Sequence, residues 1–228
     1  MLRFRFLAGL TLVASPVFAG GAITGAVNYS GPPPKQEKID RKGDAACTKS
    51  DAFDESILVS KDGKGLQNVV VRLKNGPAAP APATPISVEQ DGCLYRPRVQ
   101  GAVAGQKIEI RNTDPTLHNV HGYQGAKTVF NQAQPPKAAA LSKTVPADAD
   151  IIKLKCDVHS WMVSYIVVSK SPFFATSGAD GRFEIKDVPP GKYTVEAWHE
   201  KLGTKTAEIT VEEGKTADLP LAFAFAAN

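Results

Sequence analysis

The chain of 228 residues lacks most of the motifs from which common active centres are built. It has no Cys-x-x-Cys-His sequence, which argues against a covalently attached haem. The sequences Gly-x-Ser-x-Gly and His-Glu-x-x-His and the Walker phosphate-binding loop are also missing, and with them the usual signatures of hydrolases and nucleotide-binding proteins. No long segment has helical periodicity, and no simple repeat is evident. These absences favour a protein without hydrolytic chemistry and without long helices.

Long apolar runs are missing too, apart from a short one near the N-terminus. Two arginines precede the run from Phe6 to Ala14, which is too short to cross a bilayer, and Val17-Phe18-Ala19 resembles a cleavage site. We therefore expect a secretory signal over residues 1–19, and a mature protein that begins at Gly20 in a bacterial periplasm or outside the cell. No cysteine follows the cleavage point, so we expect no lipid anchor. No later apolar run is long enough for a transmembrane helix, so we expect no membrane span.

An excess of charge of either sign is also lacking. Of the 27 Lys and Arg residues, Arg3 and Arg5 belong to the signal, which leaves 25 against 23 acidic residues and a net charge of about +2. No basic cluster alternates with aromatic residues, as nucleic-acid binding would require. We therefore expect no nucleic-acid partner.

The rare residues of this chain fall close together. It has three cysteines, four histidines and two methionines, of which Met162 alone lies beyond the signal. Cys156, His159 and Met162 stand at three-residue spacing, and His118 or His121 supplies a second imidazole upstream. One thiolate, two imidazoles and a weak thioether are the ligands of a blue-copper electron-transfer site. A zinc site and a group of ordinary packing residues are the two competing interpretations.

The other two cysteines, Cys47 and Cys93, form an even pair. In an oxidising compartment we expect a disulfide between them, which closes a loop of about 45 residues and adds roughly 3–4 kcal/mol of stability. Cys47 lies in a Pro-, Lys- and Asp-rich stretch from Pro32 to Ser50, so a free thiol on a flexible loop is the alternative. Because Cys156 stands alone in its loop, we expect one mononuclear copper per chain rather than a dinuclear centre.

Short alternating or β-branched runs between turn signals predict an all-β chain. The clearest runs are Ala22–Tyr29, Gln67–Leu73, Lys107–Arg111, Asp150–Lys155, Ser164–Ser169, Arg182–Lys186, Lys192–Trp198 and Lys205–Val211. The Pro- and Ala-rich run from Asn75 to Pro85 has extended, semi-rigid character and marks a domain boundary. The stretch from Gln132 to Thr144, with Pro135-Pro136, is expected to be a second irregular loop.

Turn sequences and strand patterns in the outer parts of the chain resemble one known family. The motifs are Gly25-Ala26-Val27, Val69-Val70-Val71-Arg72-Leu73, Asp180-Gly181-Arg182-Phe183 and Pro189-Pro190-Gly191-Lys192-Tyr193. Asp-Gly and Pro-Pro-Gly are turn chemistry flanking alternating strands. With their surroundings, Gly21–Gly31, Gln67–Gly76 and Thr176–Phe223, they resemble a carboxypeptidase regulatory-like domain, a transthyretin-like or Ig-like β-sandwich. In that family the strands follow one another closely, whereas a long segment intervenes here.

The intervening segment, about Ile86 to Ser169, resembles a cupredoxin of the amicyanin and plastocyanin group. The stretches that carry the resemblance are Val103–Asn112, Pro115–His121, Cys156–Met162 and Val163–Val168. The resemblance implies a Greek-key sandwich with copper at one end, held by His118, Cys156, His159 and an axial Met162. We therefore predict a cupredoxin domain inserted in a regulatory-like sandwich. The expected bounds are 1–19 for the signal, 20–84 and 172–228 for the sandwich, and 85–171 for the copper domain.

Three residues beside the ligands have expected supporting roles. In an extended strand His121 points away from His118, so we expect it to lie behind the site or on the surface. Asn119 is expected to hydrogen-bond toward the cysteine loop and so to orient a ligand. Asp157 stands where the family usually has Ser or Thr, and we expect it to alter that cross-loop bond and to lower the copper potential.

Apolar residues near the site predict a docking surface. Trp161, Leu117 and Pro115 are expected to form a rim around an exposed edge of His159, where small redox partners dock. Packing between the domains is the alternative role for Trp161. For His199 we expect a surface or packing role, with a contact near the inserted domain as the alternative.

These features predict an exported type 1 copper protein that is not an enzyme. It would pass single electrons between periplasmic redox partners, such as a cytochrome c or a dehydrogenase. Copper binding and delivery is the second interpretation. A carbohydrate-binding-like module is the third, and it has the least support, because Thr176–Phe223 shows no cluster of exposed aromatics beyond Tyr193 and Trp198.

Overall fold

The computed structural model describes residues 19–226, so the signal predicted over residues 1–19 lies, up to Phe18, outside the described residues. The strands in chain order are β1 Gly21–Ser30, β2 Val70–Leu73, β3 Ile86–Asp91, β4 Leu94–Arg96, β5 Val99–Val103, β6 Lys107–Asn112, β7 His118–Gln124, β8 Lys127–Gln134, β9 Leu141–Thr144, β10 Ile151–Lys155, β11 Val163–Ser169, β12 Phe174–Thr176, β13 Arg182–Val188, β14 Gly191–His199, β15 Gly203–Val211 and β16 Thr216–Ala226. A four-residue 3-10 helix, Ala45–Thr48, accompanies them. Within residues 19–226 there is no helix of the length and apolarity that a membrane span requires.

The strands form four sheets, and their pairing separates the chain into two sandwiches. One sandwich has the sheets β13-β1-β16 and β12-β2-β14-β15, built from the two outer parts of the chain. The other has the sheets β5-β11-β10-β7-β8 and β4-β3-β6-β9, so every strand from β3 to β11 pairs only within that set. The all-β prediction is therefore confirmed, and one sandwich is inserted into the other.

Alternation of apolar and polar residues builds the outer sandwich. In β13, Phe183 and Ile185 point inward between exposed neighbours, and they meet Val27 of β1 in the core. The turn before β13 requires glycine at position 181, where φ is +79° and a Cβ would lie 2.5 Å from the Val27 carbonyl oxygen. The Asp-Gly sequence thus fixes the register in which β13 joins β1.

The same alternation positions the end of the inserted sandwich where the rare residues lie. Ile152 and Leu154 of β10 point into its core, and β10 pairs with β11 down to Lys155 opposite Val163. Lys155 also pairs with His121 of β7 on its other side. The Cys156–Met162 turn therefore lies directly beside the start of β7.

The irregular loop predicted over Gln132–Thr144 is only partly present, and this prediction was wrong at both ends. β8 continues to Gln134, and β9 begins at Leu141 and pairs with β6. Pro135 and Pro136 lack the amide donors that a sheet needs, so the interruption is confined to the residues around them. The short loop keeps β8 and β9 in different sheets of the same sandwich.

Apolar contacts join the two sandwiches. Val70 of β2 and Trp198 of β14 are buried together with Val99 of β5 and Val167 of β11. Tyr165 of β11 lies with its ring centroid 5.4 Å from that of Trp198. The inserted sandwich is therefore packed against the β12-β2-β14-β15 sheet.

His199 lies at the end of β14 and is 2% exposed. Its Nδ1 accepts hydrogen bonds from the backbone N–H groups of Lys201 and Leu202, both at 3.2 Å, in the turn to β15. Burial, assisted by the charge of Arg98, lowers the pKa of His199 to about 4. The residue is thus a neutral packing and turn-forming histidine at neutral pH.

Candidate metal centre

Three of the four predicted ligands converge at one end of the inserted sandwich. The ligand atoms of His118, Cys156 and His159 lie within 4.8 Å of one another. The two Nδ1 atoms of the histidines are 2.9 Å apart, and Cys156 Sγ is 3.8 Å from His159 Nδ1. None of the three side chains is more than 2% exposed. Two imidazole nitrogens and one sulfur therefore face a common, dry point.

The backbone of the Cys156–Met162 turn explains why these residues meet. The Cys156 N–H donates to the Met162 carbonyl at 3.3 Å, and the Met162 N–H donates to the His159 carbonyl at 2.9 Å. These bonds fold His159 back over Cys156. Met162 is fully buried and belongs to the same apolar core as Cys156. The three-residue spacing seen in the sequence is thus the spacing of one tight turn.

A carboxylate holds the outer nitrogen of His118. The Nε2 atom lies 2.9 Å from Asp114 Oδ2, and Asp114 is itself 8% exposed. Asp114 also accepts hydrogen bonds from the backbone N–H groups of Gly92 and Cys93, each at 2.8 Å. A histidine whose second nitrogen is fixed in this way presents the first in one orientation, as in many protein metal sites.

A second carboxylate holds the outer nitrogen of His159. Its Nε2 atom is 3.1 Å from Asp44 Oδ2, and the same oxygen accepts a hydrogen bond from Thr116 Oγ1 at 2.7 Å. The Thr116 bond is the main cause that lowers the pKa of Asp44, so this carboxyl is ionised at neutral pH. Asp44 lies 115 residues from His159 in the sequence. Both histidines of the centre are therefore flanked by carboxylates.

Charges and burial within the centre shift the pKa values of its three ligand groups in different directions. Burial opposes a charge on His118, but the hydrogen bonds with Asp114 and Cys156 outweigh it and raise the pKa of His118 to about 9. Burial likewise opposes the Cys156 thiolate, but the hydrogen bond from His118 contributes most to lowering the pKa of that thiol. Burial and the nearby charge of His118 lower the pKa of His159. A metal ion that binds here displaces the His118 proton.

The donor set fits copper. A thiolate and two imidazoles are soft or intermediate ligands, and the three ligand atoms that face each other include no carboxylate oxygen. Cys156 is a free cysteine, so its sulfur is available for metal coordination. Zinc would favour more cysteines or histidines, or a position open to water, whereas this cluster is buried.

Hydrogen bonds connect β7, which begins at His118, with the Cys156–Met162 turn, and His121 takes part in this network. Asn119 Nδ2 donates to Asp157 Oδ2 at 2.9 Å, and the Asp157 N–H donates back to Asn119 Oδ1 at 2.6 Å. His121 Nδ1 lies 3.0 Å from the same carboxylate, and its Nε2 lies 2.9 Å from Thr128 Oγ1. These three residues connect the two ligand-bearing segments from the outer side, and His121 does not join the ligand cluster.

The environment of His159 differs from the exposed edge expected from the sequence. Leu117 is 45% exposed and Pro115 is also exposed, but His159 itself is 2% exposed. Trp161 is half-buried, lies with its ring centroid 5.0 Å from that of His159 at a tilt of 41°, and donates its Nε1–H to the Cys93 carbonyl at 3.0 Å. Residues from the Pro32–Ser50 stretch cover the remaining side, which no local sequence pattern indicated.

The disulfide between Cys47 and Cys93 is formed, and the interpretation of Cys47 as a free thiol is wrong. Both sulfurs are buried beside the centre, and Cys47 Sγ lies 3.8 Å from His159 Nε2. The bond attaches the 3-10 helix, which follows β1, to the turn between β3 and β4. It therefore brings part of the outer chain onto the inserted sandwich.

The sequence analysis missed Asp114 and Asp44. Asp114 stands four residues before His118, a spacing that offered a local signal for a carboxylate partner. Asp44 gave no such signal, because its contact with His159 depends on the disulfide and on the path of the chain after β1. Long-range contacts of this kind follow only from the folded structure.

One family model matches part of the chain. The family model described as a carboxypeptidase regulatory-like domain matches residues 164–224. No curated protein sequence matches the chain.

The chain is also similar, over part of its length, to solved structures of copper proteins. A purple cupredoxin from Nitrosopumilus maritimus is 19% identical, over 37% of this chain and 99% of that chain, with a TM-score of 0.32. An amicyanin from Paracoccus versutus is 17% identical, over 43% and 97%, with a TM-score of 0.33. A copper-containing nitrite reductase from Thermus scotoductus is 19% identical, over 43% of this chain but only 25% of that one, with a TM-score of 0.34. These low values carry no conclusion about ligands or activity. By its strand pairing, the chain is one β-sandwich inserted into another, and the carboxypeptidase regulatory-like family model matches part of it.

Proposed function

We propose that this chain is an exported, mononuclear copper protein that carries single electrons between periplasmic redox partners and performs no bond chemistry itself. The observation that carries the proposal is the buried convergence of His118 Nδ1, His159 Nδ1 and Cys156 Sγ. Copper bound there supplies a one-electron couple between Cu(I) and Cu(II). Met162, buried in the same core, is the proposed axial ligand.

The protein's part in this function is to hold the ligands before the metal arrives. The turn hydrogen bonds fix Cys156 and His159, and Asp114 fixes His118. The surrounding apolar core, with Val120 and Leu154 fully buried, excludes water from the sulfur. A rigid, dry site keeps the same ligand positions in both oxidation states, so little rearrangement accompanies electron transfer.

The burial of the ligands favours electron transfer over copper delivery. A delivery protein exchanges its metal by ligand replacement and needs at least one accessible ligand, whereas His118, Cys156 and His159 are all at most 2% exposed. Electrons reach the centre without ligand access, through the strands and loops around it. The periplasmic partner is proposed to be a cytochrome c or a dehydrogenase, as the sequence analysis predicts.

A redox and metal-exchange experiment tests this function. Copper-loaded protein is mixed with reduced cytochrome c and, separately, with excess of a strong Cu(I) chelator in the presence of ascorbate. We expect reversible one-electron exchange with the cytochrome, while the copper stays bound over the same period. Rapid loss of copper to the chelator, together with no electron exchange, would support delivery and contradict electron transfer.

A further inference from the structure

The segment of residues 32–50 that follows β1, here called the strap, contacts the candidate metal centre although it belongs to the outer part of the chain. We propose that Asp44 on this strap is a positioning residue that fixes the tautomer and orientation of His159, so that the strap is part of the metal centre. The identity of the metal in this inference rests on the proposed function. The contacts of Asp44 that carry the inference do not depend on that function.

Two links hold the strap on the inserted sandwich. The Cys47–Cys93 disulfide joins it covalently to the turn between β3 and β4. Arg41, which is 4% exposed, donates to the Gly92 carbonyl of the same turn at 2.6 Å and to the carbonyl of Ser50. A buried arginine that bonds two backbone carbonyls holds the two segments together. The position of Asp44 between these two links is therefore well defined.

Asp44 has a defined orientation within the strap. Its Oδ1 accepts the Ala46 N–H at 2.8 Å and so caps the N-terminus of the 3-10 helix. That leaves Oδ2 for the Thr116 hydroxyl and for His159 Nε2. Thr116 precedes the His118 strand, so one carboxylate oxygen connects the strap with both histidine-bearing segments.

The hydrogen-bond inventory then assigns the tautomer of His159. An ionised carboxylate can only accept hydrogen bonds, so His159 Nε2 carries the proton. In the neutral ring Nδ1 is then free of a proton, and its lone pair points toward Cys156 Sγ and His118 Nδ1. This is the form that binds a metal through Nδ1. Asp114 provides the corresponding contact for His118, so both rings are held in the same way.

An Asp44→Asn variant separates positioning from folding. The Asn side chain retains the Oδ1 cap on Ala46, so the strap stays folded. Its amide N–H₂ then faces His159 Nε2 as a donor, which favours the tautomer with the proton on Nδ1. That tautomer cannot bind copper through Nδ1. The expected result is a copper affinity about 10–100-fold weaker, with an unchanged melting temperature of the metal-free protein.

NMR provides a readout that does not depend on copper. In the metal-free protein, the imidazole nitrogen shifts of His159 should report a proton on Nε2 in the native chain and on Nδ1 in Asp44→Asn. Asp40→Asn is the matched control, because Asp40 lies on the same strap, is exposed, and bonds only to Lys42. This control should leave both the tautomer and the copper affinity unchanged.

A comparison with Asp44→Ala distinguishes a role of Asp44 in positioning His159 from a role in capping the 3-10 helix alone. If Asp44 only caps the helix, Asp44→Asn will bind copper as the native chain does, and only Asp44→Ala will lose affinity together with stability; that result would overturn the proposal. An unchanged His159 tautomer in Asp44→Asn would also overturn it. If instead the native chain binds no copper but the tautomer switches as expected, the proposed function fails while the positioning role of Asp44 stands.

Discussion

Replacing Arg72 by alanine should lower the free energy of unfolding by about 3–5 kcal/mol, because the buried Glu196 carboxylate then keeps only the half-exposed Lys74, at 3.1 Å, as a charged partner. Arg72, on β2, is 4% exposed, and its guanidinium donates to Glu196 Oε1 at 2.8 and 2.6 Å. It also bonds to Asp150 at 2.5 Å and to the Val168 carbonyl, both in the inserted sandwich. One side chain thus connects the two sandwiches.

Chemical denaturation of the matched variants measures this effect. Arg182→Ala is the control, because Arg182 is 80% exposed, pairs with Asp180 at 3.8 Å, and should change stability by less than about 0.5 kcal/mol. Removing both charges in Arg72→Met with Glu196→Gln should restore much of the loss, since no unpaired buried charge remains. A loss below about 1 kcal/mol for Arg72→Ala would contradict the role of this network as a connection between the sandwiches.

Removing the disulfide should have a comparable effect on stability. In Cys47→Ser with Cys93→Ser, the free energy of unfolding should fall by about 4 kcal/mol, because the bond closes a loop with a sequence separation of 46 residues. The double variant also frees the strap, so copper should dissociate faster than from the native chain. Denaturant titration and a chelator competition measure the two effects.

The control for the disulfide variant lies in the same 3-10 helix. Ala45→Ser changes an exposed residue and leaves the disulfide intact, so neither stability nor copper release should change. If the double serine variant loses stability but releases copper at the native rate, the disulfide serves the fold alone. A stability loss below about 1 kcal/mol would instead show that the strap stays folded without the bond.

Local chemistry made much of the centre predictable. The three-residue spacing of Cys156, His159 and Met162 is a property of one turn, and alternation in β10 and β11 indicated the strands on both sides of it. The choice of His118 over His121 followed from the two-residue period of a strand. The structure places His118 in the ligand cluster and His121 on the outer network.

The rest depends on contacts between distant parts of the chain. The cover over His159 comes from residues of the strap, which carry no regular pattern and reach the centre only through the Cys47–Cys93 bond. Similarly, Arg72 gave no sequence signal, because a basic residue in an apolar strand identifies no partner. Its partners are distant in sequence: Glu196 lies opposite Arg72 in the pairing of β2 with β14, and Asp150 is contributed by the inserted sandwich.

An optical absorption spectrum of the copper-loaded protein tests the metal centre most directly. With Cys156, His118 and His159 as ligands, Cu(II) should give an intense thiolate-to-copper band in the visible region that disappears in Cys156→Ser. The Cys47→Ser with Cys93→Ser variant should retain the band, because these sulfurs are not ligands. A native protein that stays colourless with copper, or a band that survives in Cys156→Ser, would contradict the assignment of this centre.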